Sequence, residues 1–376
     1  MKIASLAFVA LAFGACSSSN SVKATDGGTG GATCASPPEV SKTEFCNSCQ
    51  FPSTANPTKC QENRPVNACC AWVQEPRQEA ARATGLHYFS APNGDTSMNL
   101  DCLSAPAQLG PSKVVTLKGF VKLFSSGKDS ARVKIEIYKE GPDGALGELV
   151  GAPVTTTDDD AQNPPQMPLP IWSTKCCATN CSPADGCKLR SYTYLNVPTE
   201  TPLIIKTSDA TGTGSLWSEL YDYNVYIPNP TVDGSNVAQY DPSAVASTDV
   251  NTVAAAAGGF TIKSDKGIVA GEVHDCADVR ISGAMVDTDQ PHEGEMFYFG
   301  ENEGDPLPDR TRAPQGLGTS KLGLFGALNL PTGVPIRISA VIKKDGKNVL
   351  LGTYTLRAFP GAISALSFRG RRPWQK

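Results

Sequence analysis

Cysteine is the residue type in this chain with the most chemistry to offer, and there are 13 of them. A cysteine can carry lipid, hold zinc or be oxidised to a disulfide, and spacing decides among these. Cys16 stands alone at the end of an apolar N-terminal run. Cys34, Cys46, Cys49, Cys60, Cys69, Cys70 and Cys102 form a block, Cys176, Cys177, Cys181 and Cys187 a tight cluster, and Cys276 is isolated. With Cys16 set aside the count is even, which outside the cytoplasm reads as disulfides. The block is odd, so one of its members is expected to pair with Cys276. Vicinal cysteines rarely bond each other, so Cys176 and Cys177 should take Cys181 and Cys187 in some order. The rival is zinc. Cys46 and Cys49 have ligand spacing, and Cys60 or Cys69 would complete four ligands, but the second C-x-x-C of a zinc ribbon is missing.

Other reactive groups are sparse. The chain has no G-x-S-x-G elbow, no H-E-x-x-H and no phosphate-binding loop. Its histidines, His87, His274 and His292, lack partners at ligand spacing. His274 follows Val273 on an alternating strand and is expected to face solvent or a neighbouring module. Asp158, Asp159 and Asp160, and again Asp287, Asp289, Glu293 and Glu295, offer oxygen ligands for Ca²⁺ but fit no EF-hand loop, so solvated loops are expected. The reading is therefore of a protein that is not an enzyme, with no cofactor and no metal. Trp217, Tyr221 and Tyr223 are the candidate binding residues. Tyr221 and Tyr223 share one strand face, with Tyr226 opposite. As an exposed row they would stack on a glycan or grip a protein. The preferred alternative is that they fill a core or a contact between modules.

The elements that must position these groups begin with an export signal. Lys2 precedes an apolar stretch from Ile3 to Ala15. That stretch is too short for a bilayer of about 30 Å, which needs about 20 apolar residues. Phe13-Gly14-Ala15-Cys16 resembles the lipobox of bacterial lipoproteins, with Phe where Leu is commoner. The resemblance implies removal of residues 1–15 and lipidation of Cys16. Residues 16–33 are rich in Ser, Gly and Thr and are expected to form a flexible tether to the membrane. Ser17, rather than Asp, follows the cysteine, which by the same resemblance implies the outer membrane, on its periplasmic or surface-exposed side. The net charge of −4 includes no basic stripe, which argues against nucleic acid. The expected partners are the membrane, through the lipid, and an envelope protein or glycan.

An internal repeat organises the remainder. Tyr194-Leu-Asn-Val-Pro-Thr-Glu-Thr-Pro-Leu-Ile-Ile205 matches Ala327-Leu-Asn-Leu-Pro-Thr-Gly-Val-Pro-Ile-Arg-Ile338, and upstream Gly119-Phe-Val-Lys122 parallels Gly271-Glu-Val-His274. Such repetition points to tandem domains. Gly119 to Pro198 spans 79 residues and Gly271 to Pro331 spans 60. The excess is about the length of 172–189, read as an inserted loop stapled by its four cysteines. Val133, Ile135 and Ile137 alternate with Lys134, Glu136 and Tyr138, and Ile336 and Ile338 with Arg337 and Ser339. This period of two indicates half-buried strands. Turns are expected at Pro142-Asp143-Gly144, and hairpins at Asp345-Gly346 and Pro360-Gly361. Ala- and Val-rich 243–257 reads as a short linking helix, with Ser247, Thr248 or Asp249 as N-cap and Gly258 as stop.

The stretch Gly267-Ile-Val-Ala-Gly-Glu-Val-His-Asp-Cys-Ala-Asp-Val-Arg-Ile-Ser-Gly-Ala-Met-Val286, followed by Thr319-Ser320, Gly323-Leu-Phe325 and Leu328-Asn-Leu-Pro-Thr-Gly333, resembles a carboxypeptidase regulatory-like domain. The resemblance covers 266–370 and extends weakly to 112–229 through the repeat. It implies a seven-stranded transthyretin-like sandwich without the peptidase's zinc ligands.

The expected fold is all-β: two tandem Greek-key β-sandwich modules behind a disulfide-rich N-terminal region. The divisions are 34–111 for the cysteine-rich region, 112–230 for the first sandwich, 231–265 for the linker with its helix, and 266–376 for the second sandwich. The expected role is a non-catalytic, lipid-anchored binding or adhesion module that presents loops. The alternatives are an envelope spacer or complex subunit, and a metal-binding or enzymatic protein.

Overall fold

The computed structural model describes residues 98, 100, 103, 109–124, 130–156, 191–229, 236–275, 279–302, 306–345 and 347–369. All thirteen cysteines lie outside them, and so do the leader, the tether, His87, the run from Asp158 to Asp160 and the 172–189 insertion. The described chain is all-β with one α-helix. The first module contributes β1 (Val114–Phe120), β2 (Lys122–Leu123), β3 (Val133–Glu140), β4 (Leu146–Leu149), β5 (Val154–Thr155), β6 (Ser191–Pro198), β7 (Leu203–Asp209), β8 (Leu220–Val225), β9 (Val237–Gln239) and β10 (Ser243–Ala244). Helix α1 (Ser247–Gly258) follows. The second module contributes β11 (Gly267–Val273), β12 (Met285–Thr288), β13 (Glu293–Phe299), β14 (Pro308–Asp309), β15 (Leu324–Leu330), β16 (Pro335–Lys344), β17 (Lys347–Arg357) and β18 (Ile363–Phe368).

The repeated sequence becomes repeated geometry. β1 pairs antiparallel with β6 and parallel with β9, and β11 pairs in the same two ways with β15 and β18. Leu117 faces Tyr194 and Ala238, as Val269 faces Ala327 and Ser364. The shared motif can be read residue by residue. Its asparagine, Asn196 or Asn329, sits at φ 63° or 57°, at a bulge in the pairing that follows the same two strand positions in each module. Asparagine tolerates this left-handed conformation better than most side chains. The motif's threonine ties down the chain entering the first strand: Thr199 Oγ1 accepts from Lys113 N at 2.8 Å, and Thr332 Oγ1 donates to Asp265 O at 3.1 Å. Gly119 and Gly271 occupy one equivalent position, where a Cβ would lie 1.9 Å from the carbonyl oxygen of Tyr240 or Leu366 on the parallel neighbour.

The modules are joined edge to edge. β8 of the first pairs in parallel with β18 of the second, from Leu220 opposite Ile363 to Tyr223 opposite Leu366. A ten-stranded sheet results, in the order β14-β13-β15-β11-β18-β8-β7-β3-β4, with β5 also on β3. The first sandwich closes over one part of it with β6-β1-β9, enclosing Leu117, Val133, Ile135, Ile137, Tyr194 and Trp217. The second closes with β12-β16-β17 over a core that takes in Ile204, Tyr221 and Tyr223 from the first. Burying each such side chain is worth about 1.5–3 kcal/mol.

Helix α1 begins later than expected, since Ser243 and Ala244 pair with β2. Its N-cap is Ala246, without a side-chain cap, and Asp249 favours the first turn. Gly259, not Gly258, ends it in the left-handed region at φ 76°. Val250, Val253, Ala254 and Ala257 lay its apolar face on Ile268, Leu328 and Ile363. The Asp345 turn joins β16 to β17 as a hairpin, with Lys344 opposite Lys347. The hairpin expected at Pro360-Gly361 does not form. β18 leaves β17 for the other layer and pairs with β11 and β8, because the parallel slot beside β11 must be reached by a crossing connection.

Candidate functional site

The aromatic candidates come together at the seam between modules, and they are interior. Tyr221 and Tyr223 do share a face of β8, but that face is roofed by β17 and the Phe359 segment. Tyr221 stacks on Phe359 with ring centroids 3.9 Å apart. The Tyr223 hydroxyl donates to Gly144 O at 2.9 Å and accepts from Arg357 N at 3.3 Å. Trp217 lies in the first core, its Nε1 donating to Ala131 O at 3.0 Å. No exposed binding row of Trp217, Tyr221 and Tyr223 exists. The β17 layer and Phe359 cover the face of Tyr221 and Tyr223, and the first core encloses Trp217, as the preferred reading of the sequence held.

The same seam holds a polar cluster that the sequence did not announce. The turn Pro142–Gly144 carries two successive left-handed residues, Asp143 at φ 53° and Gly144 at 70°, and lies against the β17 backbone. Arg357 of β17 donates from Nε to Asp143 O at 3.3 Å and from Nη1 to Gly333 O at 2.8 Å. The Tyr354 hydroxyl donates to the Glu140 carboxyl. Burial pushes that carboxyl up to about 7, with the Tyr354 hydrogen bond opposing the shift.

A second cluster occupies the end of β11. His274 is buried, contrary to the expectation of an outward or module-facing ring, with Nε2 2.7 Å from Glu272 Oε2. Arg280 Nη2 donates to the other oxygen of Glu272, and its Nε and Nη1 have no hydrogen-bond partner among the described residues. Burial would raise the Glu272 carboxyl, but the Arg280 guanidinium and His274 override it and hold it well below the usual range. No nucleophile joins the cluster among the described residues, so its chemistry is that of a buried ion group.

The acidic patch separates. Asp289 Oδ1 accepts from Arg337 N at 2.8 Å, and Glu293 pairs with Lys263 at 2.8 Å and with Asn329. Among the described residues no group of His, Cys, Asp or Glu is placed to hold a metal. A shallow hollow of 560 Å³ lies between Ala256, Glu301, Pro308 and Arg310, whose guanidinium caps α1 through Ala255 O and Ala256 O. No described helix is long and apolar enough to cross a membrane.

A different surface stands out. Across the outer face of β6-β1-β9, Val114, Leu195 and Val237 are 61%, 58% and 46% exposed. Sequence reasoning missed this row, although the repeat could have found it: Leu195 and Val237 are the counterparts of Leu328 and Ile363, which α1 covers.

No known protein family and no curated protein matches the chain. Among solved structures, the shaft pilin SpaA from Lactobacillus rhamnosus GG overlaps 69% of this chain and 99% of its own, at 10% identity and a TM-score of 0.20. The Bacillus anthracis TIE protein overlaps 69% of this chain and 34% of its own, at 10% identity and a TM-score of 0.18. The full-length major pilin SpaD from Corynebacterium diphtheriae overlaps 65% and 64%, at 13% identity and a TM-score of 0.17. Overlap at that level carries no argument about activity.

Proposed function

We propose that this protein is a non-catalytic binding module of the bacterial cell envelope, held by lipid on Cys16 and turned towards a protein partner. The observation that carries the reading is the solvent-exposed aliphatic row Val114, Leu195 and Val237 on a sheet face that also carries Thr116, Lys118 and Thr193. Exposed aliphatic side chains on a rigid sheet favour a protein over a glycan, which is gripped by aromatic faces. The rings of Trp217, Tyr221 and Tyr223 are used in the interior instead. Within this reading the second sandwich is kin to the carboxypeptidase regulatory-like domains, the tether 16–33 sets its reach, and the 172–189 loop with its disulfides is a second contact.

The test is a pull-down from intact envelopes with a lipid-free ectodomain as bait, comparing wild type, Leu195→Glu and a chain lacking 176–187. A partner lost with Leu195→Glu at unchanged folding supports the face. A partner lost only with the deletion moves the contact to the loop. Full retention by both variants favours a spacer, and stoichiometric zinc with free thiols defeats the disulfide reading.

A further inference from the structure

The contact between the two sandwiches contains an acid that neither core requires. Glu140 ends β3 where the Pro142–Gly144 turn meets β17. Its N–H is used by Pro202 O at 2.9 Å, and its carboxyl accepts from the Tyr354 hydroxyl. The charged and titratable groups of the surrounding elements are engaged elsewhere. Arg357 of β17 caps the Asp143 and Gly333 carbonyls. Lys206 of β7 reaches Glu219 at 2.7 Å and Glu136 at 4.0 Å. On β3 the Tyr138 hydroxyl donates to Glu136, and on β8 those of Tyr221 and Tyr223 donate to Glu219 and Gly144 O. The Asp143 side chain is exposed on the turn. No ion pair reaches Glu140 among the described residues. A carboxylate in such a place has lost much of its water, which favours the neutral acid, and one hydroxyl bond offsets only part of that loss.

We propose that Glu140 is a proton-controlled latch between the two sandwiches, closed while its carboxyl is the neutral acid and loosened when it ionises, because the cost of burying the charge exceeds the stronger bond a carboxylate takes from Tyr354. The changeover falls near neutrality, because burial lifts the group to about 7 against the opposing Tyr354 bond. The sign follows from linkage. A carboxyl whose folded value lies above its unfolded value adds stability that is complete below the unfolded value, and this is lost as pH rises through about 7. The part that responds is local. Gly144 lies with no room for a Cβ beside the Leu356 backbone, so a small withdrawal of β17 separates the turn from it while β8 and β18 stay paired. Loosening by local opening of this kind leaves the rest of the fold intact.

The test is amide exchange by mass spectrometry on the whole chain, comparing wild type with Glu140→Gln at pH 4 and at pH 8. Taking the ratio of the two proteins at each pH removes the intrinsic base catalysis of exchange. We expect equal protection of β17 at pH 4, and about threefold or faster exchange of wild-type β17 over the variant at pH 8. An equal ratio at both values overturns the latch. Tyr354→Phe provides a second arm should the glutamine variant misfold. The hydroxyl favours the charged form, so its removal should move the wild-type changeover to higher pH; an unmoved or lowered changeover overturns the assignment.

Discussion

The two sandwiches present the same sheet face in opposite conditions. In the second module Leu328 and Ile363 are 1% and 6% exposed beneath α1, whereas their counterparts in the first, Leu195 and Val237, are 58% and 46% exposed. Their central neighbours differ accordingly: Ile268 is buried beneath the helix, and Thr116 is half-buried with no described helix over it. Lys118 stands where Ala270 is covered, and Thr193 where Gly326 lies under Phe297. Most of the first face has thus been made polar, while its apolar end has not. One architecture serves as a helix-covered layer in one copy and as an outer surface in the other.

The sharpest way to break this comparison is to place a charge at equivalent positions. Leu328→Glu buries an unpaired carboxylate under α1 and should cost more than about 4 kcal/mol, seen as loss of the cooperative transition or a large fall in Tm. Leu195→Glu faces water and should stay within about 0.5 kcal/mol of wild type in the same melt. Comparable losses at both positions would mean that the first face is covered too.

A smaller contrast concerns the paired glycines. Gly271 lies in a strand held on both sides along its length, whereas Gly119 meets Tyr240, just past the end of the three-residue β9. A methyl at either would meet a carbonyl oxygen at 1.9 Å, so a neighbour must move. Gly271→Ala should therefore cost about 3 kcal/mol and Gly119→Ala about 1–2, since the short strand shifts more cheaply. Chemical denaturation of both variants measures the difference, and equal values would show that β9 is held as firmly as β18.

Much of the layout was legible from the chain because it is local. Alternation marked β3 and β16, Asp345 marked a hairpin, and the repeated Leu-Asn-x-Pro-Thr stretch marked equivalent corners. What stayed hidden is long-range. Interior rings at Tyr221 and Tyr223 were the preferred reading of the sequence, but nothing in Leu220–Val225 says that its free edge will take a strand from 143 residues away and so bring β17 over them. The Glu140–Tyr354 contact bridges 214 residues with no motif at either end. His274 misled because alternation assigns it a face but cannot show that Glu272 and Arg280 enclose that face. The Pro360-Gly361 turn misled because a turn signal does not state which layer the next strand enters.

The smallest expected effect belongs to a loop that the first module uses to seat its tryptophan. Asp209 ends β7, and its Oδ1 accepts from Thr211 N and Thr211 Oγ1, while Oδ2 accepts from Leu216 N at 3.1 Å and from the Thr213 and Ser215 hydroxyls. Those donors gather the 209–216 turn ahead of Trp217. Burial alone would raise the carboxyl, but the bonds from Thr211, Leu216 and Thr213 outweigh it and lower the value below that of an ordinary aspartate. A folded value below the unfolded one gives stability that is present above the unfolded value near 3.8 and is lost as pH falls through the folded one. Asp209→Asn keeps the shape but gives up the charge-assisted part of these bonds. It should cost about 1 kcal/mol at neutral pH and less at pH 3, read from paired denaturant titrations. A cost that grew on acidification would mean that the charge at Asp209 is a burden to this corner and that the hydroxyls alone hold the turn.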